Sequence, residues 1–176
     1  MTLVALWETL HLTGLWAWLE ASPMGTFVAG SDWAFPTIES IHVIAIVTVV
    51  GSIAVMDLRL LGAASRDHAV TLLSRDTLPW TWGAFVVAAI SGLLLFTSKA
   101  HIYAIDPWFI AKMAVMLLAG ISMAIFHATT WKAVHNWDSD CEIPTAGKVA
   151  AGLSLFFWVI VIFCGRLIGF TLGLYE

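Results

Sequence analysis

The chain has 176 residues, 60% hydrophobic and only 11% charged, with a mean hydropathy of +0.91. Soluble globular chains carry about a quarter charged residues, so this composition excludes an ordinary water-soluble domain and points to lipid as the solvent. The net charge of −4 comes without any basic run, which removes the electrostatic basis for a nucleic-acid partner.

The length suits one transmembrane domain, 1–176, that opens on an interfacial segment, 1–34. Leu3 to Leu19 is apolar but interrupted by Glu8, Thr9, His11 and Thr13, and it carries Trp7, Trp16 and Trp18. Indole rings favour the headgroup region, so this stretch is expected to lie on the membrane as an amphipathic helix, a fifth span being the alternative. It has no basic leader and no small-residue cleavage site, so it is expected to be retained. Ser22-Pro23 and Ser31-Asp32 carry helix-start chemistry.

Four apolar runs follow, Ile38 to Leu61, Leu78 to Thr97, Trp108 to Thr130 and Ala146 to Phe170. Each supplies the roughly 20 residues that cross a hydrocarbon core about 30 Å thick. Polar stretches at 63–76, 98–107 and 135–144 separate them, and Pro36, Pro79, Pro107 and Pro144 fall near the expected helix starts, where a missing N–H costs little. The fold class expected is all-α, an integral membrane four-helix bundle with an added interfacial helix. Gly165, Gly169 and Gly173, Ser91-Gly92 and Ala119-Gly120 are expected to be packing seams, because small residues let helices approach in lipid. Arg59, Arg66, Arg75, Lys132 and Lys148 flank one face against Lys99, Lys112 and Arg166 toward the other. Basic residues stay on the cytoplasmic side, so both termini are expected to be periplasmic.

Ionisable groups carry the functional signal, because they are costly at depth. Asp57, Arg59, Lys99, Lys112, Lys148 and Arg166 stand within about five residues of a span end and suit snorkelling to the headgroups. A place in a pocket holding a propionate, quinone or lipid headgroup is their functional alternative. His42 and His127 fall inside spans. Glu39, His42, Ile46, Val50 and Asp57 share one helical stripe, and Lys112, Met116, Ala119, Met123 and His127 another, so both are expected to face the bundle. By depth His42 pairs with His101 and His127 with His68, the two levels differing by roughly 20 Å.

Paired neutral imidazoles from different helices hold b-type haem, and two stacked haems carry electrons across a membrane. The leading expectation is therefore a haem b electron-transfer protein linking a quinone or membrane partner to an outer-face redox protein. Its metal ligands would be His42, His127, His101 and His68. Lys112 and Arg166 would neutralise propionates, and Glu39 would orient His42. Against this stand the bland readings: His68 and His101 as exposed loop residues, His11 and His135 as interfacial, and His42 and His127 as hydrogen-bonded structural histidines.

The echo of Glu8-Thr9-Leu10-His11 in Glu39-Ser40-Ile41-His42 resembles di-iron spacing, but the other spans supply no carboxylate at depth. Scattered methionines make no copper cluster, Cys141 and Cys164 have no metal or disulfide spacing, and hydrolase, P-loop and zincin motifs are absent. The alternative function is a non-catalytic membrane subunit or small-molecule or ion-binding protein with a buried His/Lys/Arg seam, a second copy or a membrane complex being its partner. A proton or ion pathway through Glu39, His42, Lys112 and His127 is a third.

The segments Phe35-Pro36-Thr37-Ile38-Glu39-Ser40-Ile41-His42, Asp57-Leu58-Arg59-Leu60-Leu61-Gly62, Leu78-Pro79-Trp80-Thr81-Trp82, Phe126-His127 and Gly165-Arg166, with Lys112, resemble a bacterial integral-membrane family of unknown function. The resemblance runs from Trp18 to Phe170. It implies a compact four-helix unit in the bacterial inner membrane with His42, Arg59, Lys112, His127 and Arg166 as signature positions. It implies no activity.

Overall fold

Ser22 accepts the Gly25 N–H at 3.0 Å and Pro23 fills the first helical position, so the helix start read from the sequence at Ser22-Pro23 forms as a capped turn. The computed structural model describes residues 13–139, 142–171 and 173. Two short helices, α1 (Thr13–Glu20) and α2 (Pro23–Gly30), lead to the long α3 (Ala34–Leu60) and α4 (Val70–Ser98). The short α5 (Ala100–Ile105), α6 (Pro107–Ala128), a 3-10 turn (Thr130–Asn136) and α7 (Thr145–Thr171) complete the chain. No strand occurs among the described residues.

The four long helices, of 27, 29, 22 and 27 residues, are long and apolar enough to cross a membrane. Their outward positions hold Ile44, Val47, Leu117, Val159 and Phe163, each more than 60% exposed. In water such a surface would aggregate; in lipid it is the solvated face. The all-α membrane bundle expected from composition is therefore present, with α1 and α2 as short helices beside it. Glu8 and His11 lie outside the described residues.

α3 packs along α4, α6 along α7, and α3 against α7, while α4 and α6 do not pack closely on one another. The bundle is thus two helical hairpins joined along one seam. α1, α2 and α5 gather at the end where α4 finishes and α6 starts, forming a collar; the opposite, loop end carries the connections 61–69 and 129–144.

Four expectations need correction. α4 begins eight residues ahead of the expected start, Leu78. Asp138, from a distant connection, initiates it by accepting the Thr71 N–H at 2.8 Å and hydroxyl at 2.7 Å, while its carbonyl takes the Val70 N–H. Pro79 consequently lies inside the helix. The carbonyl left without a donor belongs to exposed Arg75.

Gly165, Gly169 and Gly173 are not an internal seam, because a Cβ on any of them meets nothing within 4 Å among the described residues. The inward side of α7 is Ala151, Trp158, Val161, Cys164 and Ile168. The α6 stripe is only partly internal: Ala119 is buried, Lys112 and Met116 half-buried, and Met123 and His127 exposed. Finally, Asp57 and Arg59 do not snorkel; they are 6% and 4% exposed.

Packing is apolar at mid-depth, where Val49, Trp158 and Val161 form a cluster with Ile53, Val115 and Met116. A larger cluster closes the loop end with Leu60, Val70, Phe126, Val134, Trp137 and Ile143. There α3 ends in a Schellman-type turn, with Gly62 at φ +70° and the Ala63 N–H on the Leu58 carbonyl.

Candidate functional site

One polar level recurs on all four long helices. His42, Ser91, Lys112 and Cys164 each stand five to eight residues from the collar end of their helix, about 8–12 Å along the axis at 1.5 Å per residue. His42 Nδ1 lies 3.0 Å from Ser91 Oγ. Ser91 donates its own proton to the Val87 carbonyl at 2.7 Å, so it accepts from the ring and Nδ1 carries the hydrogen. The Ala88 carbonyl is a further acceptor beside the ring. Nε2 is left with its lone pair available, the form in which histidine ligates or takes a proton.

Gly92 makes this placement possible. A Cβ there would stand 2.9 Å from His42 Cε1 and 3.4 Å from Nδ1, so the imidazole occupies the space that any side chain would fill. Lys112 of α6 lies close enough for its charge to act on His42, and Cys164 of α7 acts likewise on Lys112. No carboxylate among the described residues bonds to Lys112. A cation in a membrane segment is normally paired or led to the interface, and this one faces a neutral imidazole instead.

The level is closed above and below. Phe96, one turn beyond Gly92, stacks on Phe109, one turn before Lys112, with ring centroids 5.5 Å apart and planes at 20°. Tyr103 of α5 joins them at 6.0 and 5.4 Å. Burial pushes the Tyr103 phenol up to about 12, reinforced by the Glu39 and Asp106 carboxylates. Asp106, fully buried, accepts the Trp108 and Phe109 N–H groups and the Thr171 hydroxyl, fixing the start of α6 to the end of α7. Below the level lies the Val49–Trp158–Val161 cluster. At this level α4 and α6 pack only loosely on one another, the Phe96–Phe109 stack being the ring contact that bridges them.

The other candidate residues are dispersed. His101 is exposed on α5, its backbone N–H on Glu20 Oε1 at 2.7 Å. His68 is exposed in the 61–69 connection, where its carbonyl accepts Arg59 Nε at 2.8 Å. His127 is exposed, 3.0 Å from the Met123 carbonyl through Nδ1, with its ring 5.6 Å from Trp131. Glu39 is exposed, and Ser91 rather than Glu39 holds the His42 ring. Arg166 is exposed with its guanidinium 4.6 Å from the Phe170 ring centroid. Among the described residues no group of three His, Cys, Asp or Glu gathers at metal-binding distance.

Sequence reasoning placed His42 and Lys112 but assigned Ser91 to packing and left Cys164 in an apolar segment. Their distance from the span ends was the signal that would have grouped them. A family model described as "Family of unknown function (DUF6644)" matches residues 15–171. No curated protein and no solved structure matches the chain.

Proposed function

The chain belongs to the DUF6644 family, whose function is unknown, and on its own geometry we propose that it is a membrane-embedded binding protein for a small, lipid-dissolved molecule with a carbonyl or hydroxyl head, of which quinones are the type. The observation that carries this reading is an imidazole held through Nδ1 on Ser91, with Lys112 near enough for its charge to act on the ring and no carboxylate among the described residues bonded to that lysine. Lys112 donates to a carbonyl oxygen, and His42 Nε2 accepts from a hydroxyl, so one site suits both the oxidised and the reduced head. The aromatic roof and apolar floor keep water from competing for these bonds. If the basic loop end is cytoplasmic, the site lies in the outer leaflet of a bacterial inner membrane.

The test is equilibrium binding of a short-chain quinone to protein in lipid nanodiscs. Saturable binding is expected, weakened tenfold or more in Lys112→Met and in His42→Gln, since a hydrogen bond to a charged group contributes about 1.5–3 kcal/mol. Equal affinity in wild type and both folded variants would remove the proposal. Spectra of the same sample, oxidised and dithionite-reduced, decide the haem expectation: a Soret band that moves on reduction would replace the quinone reading by haem and electron transfer.

A further inference from the structure

A second polar site stands at the other end of the bundle, and it concerns Asp57. This carboxyl lies three residues before the end of α3, between Met56 and Leu60 of the loop-end apolar cluster, and is 6% exposed. Asp106 shows what a buried carboxylate normally receives here: two backbone N–H groups and a hydroxyl. Asp57 has one side-chain hydrogen-bonding neighbour among the described residues, the Ser154 hydroxyl of α7. Its Oδ2 is buried with no partner among the described residues.

No counterion among the described residues resolves this. Arg59 is two positions along the same helix, a spacing at which side chains do not face each other, and its Nε is given to the His68 carbonyl. Arg75 and Asp76 of α4, Lys148 of α7, and Lys132 and His135 of the 3-10 turn are all exposed. A metal ion is a poor fit, because hard cations want six or more oxygens and no metal-binding cluster occurs among the described residues. A proton needs one oxygen.

We propose that Asp57 is a proton-binding site, a carboxyl that takes up and gives off a proton at the loop end of the bundle with the Ser154 hydroxyl as its hydrogen-bond partner. The Val49–Trp158–Val161 cluster separates it from His42, about 22 Å away along α3 at 1.5 Å per residue. Exchange therefore runs to the loop-end face. The site is independent of whatever occupies the collar end.

Dicyclohexylcarbodiimide, a lipid-soluble probe, tests this on the full chain in liposomes. It reacts with a protonated carboxyl: the acid proton passes to a carbodiimide nitrogen, the carboxyl oxygen adds to the central carbon, and acyl migration gives a stable N-acylurea. Mass mapping is expected to find the adduct on Asp57 at neutral pH, diminishing as pH rises, lost in Asp57→Asn, and absent from Asp106. Infrared spectra of protein carrying carboxyl-13C aspartate provide the second measurement and need no variant to fold. They should contain an isotope-sensitive protonated-carboxyl band that Asp57→Glu makes insensitive to the label. Wild-type protein with neither the adduct nor the band, from mildly acidic to mildly alkaline pH, overturns the proposal.

Discussion

Gly92→Ala isolates the seat of His42 without altering its chemistry. The added Cβ would stand 2.9 Å from His42 Cε1, and ordinary contact begins at 3.4 Å, so the ring must retreat from α4 by at least about 0.5 Å. Retreat from α4 is retreat from Ser91, and the 3.0 Å bond then reaches the limit of useful geometry. Loss of that bond costs about 1 kcal/mol, and overpacking by a methyl group costs about 1–3 kcal/mol. The better helix propensity of alanine offsets about 1 kcal/mol. A net destabilisation of about 1–3 kcal/mol is expected by thermal denaturation in detergent, with quinone binding weakened because the imidazole has left its seat on Ser91. Nitrogen-15 NMR of labelled histidine is the direct readout, with His42 assigned through His42→Gln. Unchanged His42 ring resonances in a folded Gly92→Ala protein would refute the reasoning. Gly120→Ala is the control, since nothing lies within 4 Å of its Cβ among the described residues.

Gly25→Ala should be harsher, because its Cβ would stand 2.6–2.8 Å from the carbonyl oxygens of Leu19, Glu20 and Thr97, which cannot rotate away; a loss of about 3 kcal/mol or more and faster proteolysis of the collar are expected. Loss of solvation is the largest single influence on Asp138 and pushes it up, but the Thr71 N–H and hydroxyl, with His135 and the Val70 N–H, together outweigh it and hold the carboxyl below the usual range. A depressed folded value means that its stabilisation is present above the unfolded pKa of about 3.9 and fades as pH falls through the folded value. The melting difference between wild type and Asp138→Asn should therefore close in strong acid, and a difference that persists there would count against the cap. Tyr103, pushed up to about 12, contributes stability that is complete below the unfolded value of about 10 and disappears as pH rises through the folded one. Ultraviolet titration should contain a late phenolate step that Tyr103→Phe removes.

The four spans were legible because their length and apolar content answer to bilayer thickness, a constraint that each segment meets by itself. What the sequence misplaced depends on contacts between segments. The early start of α4 is set by Asp138, 67 positions away along the chain, and no local pattern around Ser74 to Asp76 announces it. Asp57 and Arg59 carried the composition of headgroup anchors. Arg59 is covered where the 61–69 connection folds back and its His68 carbonyl meets the guanidinium, and Asp57 stands against Ser154 of α7.

The α6 stripe failed for a deeper reason. In water an apolar stripe marks the inside of a helix, because only burial removes it from solvent. In lipid an apolar side chain is equally at home on either side, so Met123 and Leu117 reveal nothing about direction by their hydropathy. The residues that retain directional information are those that lipid penalises or that allow close approach. His42 and Ser91, which must find partners, and Gly92, which makes room, point the same way and are found together. His127 broke this logic because its Nδ1 is satisfied by the Met123 carbonyl one turn back on its own helix, and it needs no neighbour. The source of the partner therefore separates the two histidines. Eight residues into α3, His42 takes its partner, Ser91, from another helix.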